Sequence, residues 1–599
     1  MKTTRLKQPK KLVLPKFDLA GVNAEFKQLT ISLGLFGLPK FDADLSDYSR
    51  FDVKTIVRAT ISHRATNKWE EPDKSNQSLR RRKTVLGWYD NESRIKNLDI
   101  AGVRQTLACN RIGYEIGYKV LRRLKNPKSL DIQFGPGESF NSAKGDTSLL
   151  AKLEPIHHSV SYDNLDLWVS IITSFRGLFL PYLEFWWKNI RTKVKGSLEE
   201  FTRVKNQKDW KCAIVHEVIE FIPNYVVMGS RQAFVDKDNE EDRVIEVNPA
   251  GDVVCQKVVG SAFREILLEY GIDLDVNQTL HKKLISDKTL ATIDASKASD
   301  TITLHHIKWL FPLELSIILE RLSQKWILAT TELNTKEWTL QSKLCSMGSG
   351  FTFELLTTIF YCIGRRHTES VYAYGDDLIV PRACADMVVA DLESAGFIIN
   401  RKKTFLEGPL SESCGGYHLE GYGYITCYSL KWCNNPVEAV AAINKLGRIL
   451  RDYQAKIGTD EFSCVLEKTW RNLLSKTQSL YAGPMVSLER DIPTWIENPN
   501  YKKRKKDSAI LRNMFHLNMD LIEAYAWSFQ RSMNEFDIVY EFKLANDIRC
   551  PTKTKVSYKP LLFAYIKSGM RTKFEIKNHG PNQRVLVKPV LVDSEGYFI

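Results

Sequence analysis

The sequence predicts a large mixed α/β protein in which strands and helices alternate in the central part of the chain. Between residues 231 and about 432, short β-rich runs alternate with helical patterns. After Pro436, the apolar residues recur at a helical period. With 599 residues, the chain is long enough to form several subdomains around a deep cleft.

These patterns divide the chain into three predicted regions. They are an N-terminal region (1–230), a central α/β region (231–435) and a helical C-terminal region (436–599). Pro436 suits the first turn of the helix that opens the last region. Two basic clusters, 80–83 and 502–506, are interpreted as exposed loops, and contact of the second with nucleic acid is the alternative. No internal repeat is visible, which argues against a solenoid.

The composition is that of a globular protein with a basic surface. Hydrophobic residues make up 43% of the chain and charged residues 26%, which argues against a disordered or collagen-like chain. The 85 Lys and Arg residues exceed the 71 Asp and Glu residues, and the net charge is +14. An excess of this size favours a polyanionic partner such as nucleic acid.

The cysteines and the apolar segments predict a cytosolic protein. The eleven cysteines form no CxxC pair, which predicts free thiols without disulfides or structural zinc. The basic segment 1–16 is not followed by the apolar core of a secretory signal. The most apolar stretch, 165–187, contains Asp166, Arg176 and Glu184, so no membrane span is expected.

The sharpest motif is a predicted hairpin at 371–380, in which two apolar β-type runs flank the sequence Tyr-Gly-Asp-Asp. Asp376 and Asp377 at its turn repel each other, and hairpin formation does not require them. A pair of divalent cations would explain both acids, because Mg²⁺ binds carboxylates together with substrate phosphates. The alternative is a solvent-facing acidic turn.

A metal pair needs a further carboxylate, and Asp294 offers one at the end of the β-like run 290–293. Asp300 follows six residues later and could face an incoming nucleotide. The alternative role for each of these acids is to cap a helix N-terminus.

A glycine-rich loop at 346–350 leads into a helical stretch and lies between these acids in the sequence. Its glycines permit close approach of the backbone to a substrate. The order of acid, glycine-rich loop with helix, and Gly-Asp-Asp hairpin is typical of polymerase palm domains. This order is more specific than any one of its parts.

Seven stretches of the chain together match one known family: 271–274, 277–279, 293–300, 346–355, 374–377, 400–405 and 412–415. In these stretches the sequence resembles the replicase β subunits of the small positive-strand RNA bacteriophages, the Qβ-like (levivirus) group. The resemblance is strongest from about 235 to 435. It implies a right-hand polymerase fold with palm, fingers and a helical thumb, and an RNA-directed RNA polymerase activity.

The resemblance also implies roles for individual residues. Asp294, Asp376 and Asp377 would hold two or more Mg²⁺ ions, with Mn²⁺ as an alternative metal. Asp300 would lie near the ribose of the incoming nucleotide. Lys237 and Arg243 would receive the triphosphate, and Ser346 and Gly348 of the loop would contact the nucleotide. Either Lys402 or Lys403 would be the general acid. For Lys237 and Arg243 the alternative is an ordinary surface charge.

The resemblance implies partners as well, which are an RNA template and product, ribonucleoside triphosphates, host elongation factors Tu and Ts, and a protein of the small ribosomal subunit. It places the protein in the cytoplasm of a bacterial host, with no membrane partner. Two other functions stay open. A reverse transcriptase shares the palm acids, and a non-catalytic RNA-binding protein could retain a degenerate palm.

Overall fold

The computed structural model describes residues 18–39, 50–125, 138–141, 159–168, 226–238, 241–434 and 436–477, with short stretches between 482 and 499. The segment 1–16, most of the apolar stretch 165–187 and the basic run 502–506 lie outside the described residues. No helix within the described ranges is long and apolar enough to cross a membrane.

Along the sequence, helices precede the central strands, lie between them and follow them. They are α1 (Leu19–Gly34), α2 (Val53–Thr66), α3 (Lys74–Lys96), α4 (Ile100–Leu107), α5 (Arg111–Leu124), α6 (Ala250–Glu269), α7 (Asn277–Leu284), α8 (Leu304–Leu310), α9 (Leu313–Leu322), α10 (Thr352–Gly364), α11 (Arg382–Ser394), α12 (Pro436–Ile457) and α13 (Glu461–Lys476).

The strands are short and form several small sheets. They are β1 (Val160–Ser161), β2 (Val226–Val227), β3 (Ser230–Asp236), β4 (Asp242–Val247), β5 (Leu290–Ile293), β6 (Ala295–Ser296), β7 (Trp326–Thr330), β8 (Lys336–Leu340), β9 (Tyr372–Tyr374), β10 (Asp377–Pro381), β11 (Ile398–Ile399), β12 (Leu410–Ser413), β13 (Gly416–Leu419), β14 (Gly423–Tyr424), β15 (Ala482–Gly483) and β16 (Ile496–Glu497). The larger sheets have the orders β5-β10-β9, β12-β13-β14 and β4-β3-β7-β8.

The main hydrophobic core surrounds the antiparallel sheet β5-β10-β9. Helices α6 and α10 contribute fully buried side chains such as Phe263 and Ile359, and strand β10 contributes Leu378. Helix α10 is apolar on all sides, with every residue from Glu354 to Gly364 buried. A helix of this kind belongs in the middle of a core, and it supports the hairpin that follows it.

A second core joins the two ends of the described chain. Phe26 of α1 and Val57 of α2 pack with Ile443 of α12 and Phe462 of α13. Helix α2 begins at the cap Asp52, whose side chain accepts a hydrogen bond from the backbone N–H of Thr55 at 2.9 Å. The first helices therefore fold against the C-terminal helices, although they are nearly 400 residues apart.

Helix α3 packs on the sheet β4-β3-β7-β8 through ion pairs as well as apolar contacts. Trp88 packs with Ile327 of β7. Arg80 is buried, and its Nε lies 2.6 Å from Oδ1 of Asp242 on β4. The interpretation of cluster 80–83 as an exposed loop was wrong, because these residues form a helix whose first arginine pairs with a buried acid.

The predicted mixed α/β class is confirmed, and so is the helix after Pro436, which runs to Ile457. Its apolar positions Val440, Ile443 and Leu446 are buried, as the helical period predicts. The predicted hairpin at 371–380 is also present, with β9 and β10 as its strands.

Candidate active site

Three short strands bring the predicted acids together. Strand β10 pairs antiparallel with β9 on one side and with β5 on the other. In the second pairing Leu378 lies opposite Ile293, so that the adjacent residues Asp377 and Asp294 come to the same end of the sheet. The alternative of Asp294 as a helix cap is wrong, because this residue lies between strands β5 and β6.

The hairpin turn requires glycine at position 375. Gly375 has φ +65°, and a Cβ there would lie 2.6 Å from a ring carbon of Phe353 on α10. Its backbone N–H donates to Oγ1 of Thr357 at 2.9 Å. The turn is thus fixed by helix α10. Asp376 is only partly exposed, which argues against the alternative of a solvent-facing acidic turn.

The three carboxylates form a compact cluster. One oxygen from each of Asp294, Asp376 and Asp377 lies within 4.8 Å of the other two. Asn400 Nδ2 donates to Asp294 Oδ2 at 2.6 Å. Ser413 Oγ donates to Asp377 Oδ1 at 3.2 Å. These hydrogen bonds orient the carboxylates of Asp294 and Asp377, and one oxygen of each acid stays close to the other two acids.

The electrostatics of the cluster favour a bound cation. Burial raises the pKa of Asp294 to about 7, and the charge of Asp377 acts in the same direction. Burial, followed by the charges of Asp294 and Asp377, raises the pKa of Asp376 to about 7. A divalent cation would relieve this repulsion, and the all-oxygen donor set fits a hard ion such as Mg²⁺.

Lys403 is the lysine that acts on the acid cluster. The charge of Glu412 raises the pKa of Lys403, and Asp294 and Asp377 add to this effect against the opposing effect of burial. In return, Lys403 lowers the pKa values of Asp294 and Asp376. Of the two lysines that the sequence left undecided, Lys403 therefore has the electrostatic coupling that a role at this site requires.

Glu412 is a further acid beside the cluster. It is 3% exposed, burial raises its pKa, and its Oε1 accepts the backbone N–H of Gly415 at 2.9 Å. It was identified in the sequence only within the stretch 412–415. The effect of its charge on Lys403 could not be predicted, because it depends on how β12 packs beside β5.

Asp300 does not cap a helix. It lies in the 3₁₀ turn Ser299–Thr301, and the next helix, α8, is capped by Thr303 in a capping box with His306. The helix-cap alternative for Asp300 is therefore wrong. Instead, Asp300 Oδ1 accepts a hydrogen bond from Lys343 Nζ at 2.7 Å.

Lys343 holds Asp300 in place and was missed in the sequence. Its side chain is 1% exposed, and Nζ also lies 3.7 Å from Glu92 Oε1 and 5.4 Å from the ring centroid of Trp88, both on α3. Burial opposes its charge, but Asp300, Glu246 and Glu92 together raise its pKa. The only local signal was a lysine beside the apolar residues Leu344 and Cys345.

The loop 346–350 is fixed through its backbone. Gly348 has φ +117°, and a Cβ there would lie 2.1 Å from the carbonyl oxygen of Glu246. The backbone N–H of Glu246 donates to the carbonyl of Met347 at 2.8 Å. Ser346 is fully buried, and its carbonyl oxygen accepts a bond from Thr352 Oγ1 at 2.9 Å. Ser346 thus contributes to the shape of the loop. Met347 is more exposed to solvent than Ser346.

Lys237 and Arg243 lie on the hairpin formed by β3 and β4. Lys237 Nζ pairs with Glu241 Oε2 at 3.1 Å, and both side chains are partly exposed. Arg243 is exposed on β4, opposite Val235. Its charge lowers the pKa of Lys68, which follows α2. The structure thus places Arg243 near another cation and leaves Lys237 in a surface ion pair.

The central part of the chain matches a known protein family. Residues 204–458 match the family model described as RNA replicase, beta-chain. This segment is similar to the RNA replicase beta-chain family. The match includes every residue of the acid cluster, together with Lys403 and Glu412, and it confirms the resemblance to phage replicases.

Curated relatives agree with the family. The RNA-directed RNA polymerase subunit beta of Enterobacteria phage SP is 32% identical over 272 residues, which are 43% of this chain and 46% of that protein. The RNA-directed RNA polymerase beta chain of Escherichia phage MS2 is 34% identical over 268 residues, which are 43% of this chain and 47% of that protein. The match thus spans about half the length of these relatives.

Proposed function

We propose that this chain is an RNA-directed RNA polymerase, the catalytic subunit of a phage RNA replicase that adds ribonucleotides to a growing RNA 3′ end. The observation that supports it most directly is the cluster of Asp294, Asp376 and Asp377 at one end of a three-stranded sheet. This cluster lies inside the segment that matches the replicase family.

The arrangement of the chain fits a right-hand polymerase. In this proposal, the central region 231–435 forms the palm and part of the fingers, the region 1–230 completes the fingers, and the region 436–599 forms a helical thumb. The packing of α1 and α2 on α12 and α13 adds an N-terminal contribution to the base of the thumb.

The acid cluster would hold two Mg²⁺ ions, with Mn²⁺ as an alternative. When bound, such ions stabilise charge on the attacking and leaving oxygens of a phosphoryl transfer. The residues of the chain supply the rest of the site. Asn400 and Ser413 orient the carboxylates of Asp294 and Asp377, and Gly375 keeps the turn close to α10.

Lys403 is proposed as the general acid that delivers a proton to the leaving pyrophosphate. Its raised pKa keeps the proton on Nζ at neutral pH. The buried Glu412 beside it maintains that charge in the absence of substrate. Positioning and charge neutralisation then account for most of the catalysis.

Asp300 and the loop 346–350 are proposed to receive the ribose and base of the incoming nucleotide, with Lys237 and Arg243 as candidates for its triphosphate. The position of Asp300 favours this proposal over a reverse transcriptase, because a carboxylate near the sugar can accept a bond from a 2′-hydroxyl. A degenerate, non-catalytic palm is disfavoured because three clustered acids are costly to retain without a cation.

Further proposals concern partners and location. They rest on the similarity to phage replicases. An RNA template and product, and ribonucleoside triphosphates, are the substrates. Host elongation factors Tu and Ts and a protein of the small ribosomal subunit are proposed as further subunits, and the cytoplasm of a bacterial host as the location.

The direct test of the proposed function is primer extension on an RNA template with the full chain and its host partners. Incorporation of ribonucleotides that requires Mg²⁺ is expected, with deoxynucleotides used poorly. Extension with deoxynucleotides alone would instead identify a reverse transcriptase. RNA binding without extension of any primer would identify a non-catalytic protein.

We predict that Asp300→Ala weakens the use of ribonucleotides more than that of deoxynucleotides. A hydrogen bond to a charged group contributes about 1.5 to 3 kcal/mol, so the ratio of the two kcat/KM values should fall roughly ten- to a hundredfold. Lys343→Met should cause part of the same loss because Lys343 positions Asp300. An unchanged ratio in a well-folded Asp300→Ala protein would contradict the proposed contact with the ribose.

Template binding should weaken steeply with salt. The net charge of +14 acts on RNA phosphates, and each neutralised phosphate releases counterions. The affinity for an RNA template is expected to fall at least about a hundredfold between roughly 50 and 200 mM salt. A filter-binding titration across this range checks it, and a flat dependence would exclude phosphate contacts as the main source of affinity.

A further inference from the structure

A cluster of four cations lies beside the acid cluster and has no role in the proposed function so far. We define the basic cluster as Arg64, Lys68, Lys431 and Lys445. Arg64 is on α2, Lys68 follows the same helix, Lys431 is in the segment before α12, and Lys445 is on α12. All four side chains are partly buried.

Contacts between the supporting segments bring the cations together. Ser429 Oγ lies 3.4 Å from Asn67 Oδ1. The rings of Trp69 and Trp432 are 5.8 Å apart between centroids. Because these pairs flank Lys68 and Lys431 in the sequence, the two lysines lie on adjacent segments.

The cations repel one another. Burial, followed by the charges of Lys431, Lys68 and Arg64, lowers the pKa of Lys445 to about 8. Burial also lowers the pKa of Lys68, with Lys431, Arg64 and Arg243 acting in the same direction and Asp238 opposing them.

Acids act on the basic cluster only at longer range, namely Asp238 on Lys68 and Glu412 on Arg64. Within the described part of the chain, no carboxylate lies at ion-pair distance from any of its four members. Arg64 Nε is buried without a hydrogen-bond partner there. Like charges held together in this way destabilise the fold, and an anion would offset the cost.

Arg64 connects the basic cluster to the acid cluster. A Cβ built on Gly415 would lie 3.7 Å from an Nη of Arg64, and the Arg64 guanidinium lies 5.9 Å from the ring centroid of Tyr417. The charge of Arg64 also lowers the pKa values of Lys403 and Glu412. The basic cluster therefore begins next to the proposed general acid and extends away from it.

We propose that the basic cluster is a polyphosphate site, which holds the triphosphate of the incoming nucleotide and the pyrophosphate that leaves. Arg64 of the cluster acts electrostatically on Lys403, and Arg243 acts on Lys68. This coupling favours a nucleotide polyphosphate over the backbone of an RNA strand, because Lys403 is proposed to protonate the leaving group. The identity of the anion rests on the proposed function, whereas the existence of the anion site does not.

The experiment measures binding of inorganic pyrophosphate to the full chain, without RNA or divalent metal, by calorimetry. Lys68→Met and Lys445→Met are each expected to weaken this binding about tenfold. They should also raise KM for nucleoside triphosphates more than they lower kcat, and leave RNA affinity at fixed salt unchanged. The matched control is Lys308→Met, which removes a partly exposed lysine of α8 outside the cluster.

Thermal unfolding separates this role from a structural one. Removing one of several repelling cations should leave Tm unchanged or raise it, whereas a structural lysine would lower it. Pyrophosphate should raise Tm of the unmodified chain more than that of either variant. Should a Met variant fail to fold, Lys431→Gln replaces it with the same expectations.

Each outcome decides the proposal. Unchanged pyrophosphate affinity in the folded variants overturns the proposed polyphosphate site. A loss of RNA affinity with pyrophosphate binding intact also overturns it, and would assign the cluster to an RNA strand. Lysine-dependent pyrophosphate binding in a chain that extends no primer would retain the anion site and overturn the polymerase function and the nucleotide assignment instead.

Discussion

Asp376→Asn is expected to reduce nucleotide incorporation by at least about a thousandfold, because metal ions supply several kcal/mol of transition-state stabilisation and about 1.4 kcal/mol corresponds to tenfold in rate. Asp376 shares its site with two other carboxylates whose oxygens lie within 4.8 Å. Loss of one ligand from such a group disturbs the position of any bound cation. Single-turnover primer extension at saturating nucleotide measures the effect.

The same substitution should not weaken the fold. Burial and two neighbouring acids raise the pKa of Asp376, so removal of its charge relieves repulsion in the metal-free chain. Tm without metal should therefore stay the same or rise, and RNA affinity should be retained. Asp386→Asn, which changes an exposed acid on α11, is the matched control. Near-normal turnover of Asp376→Asn would remove this residue from the proposed metal site.

Lys403→Met is expected to lower kcat by about a hundredfold to ten-thousandfold, the usual range for loss of a general acid or base. The reason is its charge coupling to the acid cluster and to Glu412. The effect should appear in the chemical step, so that pre-steady-state incorporation slows while RNA affinity is little changed.

The adjacent lysine provides the control for this prediction. Lys402→Met alters the same turn and the same net charge, and its expected effect on kcat is small. If Lys402→Met causes the larger loss, the assignment of the general acid to Lys403 fails. Equal, modest losses in both variants would indicate that the two lysines act through general electrostatic attraction.

The part of the site that could be predicted from sequence is the part that depends on short motifs. Tyr-Gly-Asp-Asp between two apolar runs predicts a hairpin, and β9 and β10 form it. Asp294 at the end of an apolar run was predicted to join that hairpin, and the pairing of Leu378 with Ile293 shows how it does so. In both cases, a short apolar run predicts the strand and thereby the position of the acid at its end.

Residues whose partners are distant in the sequence could not be predicted. Lys343 pairs with Asp300, 43 positions away, and with Glu92 on a helix near the other end of the described chain. The burial of Arg80 depends in the same way on Asp242. Local sequence patterns carry no information on such ion pairs, because the packing of separate elements determines which charges meet.

The packing of the N-terminal helices on α12 and α13 has a consequence for synthesis of the protein. Asn23 Nδ2 donates to the carbonyl of Cys433, and the backbone N–H of Cys433 donates to Asn23 Oδ1, both at 2.9 Å. A ribosome adding 5 to 20 residues per second needs roughly 20 to 80 s to make the intervening chain. During that time the apolar faces of α1 and α2, including Phe26 and Val57, lack their partners on α12 and α13. The nascent chain therefore depends on chaperones or transient contacts to remain unaggregated until α12 and α13 emerge.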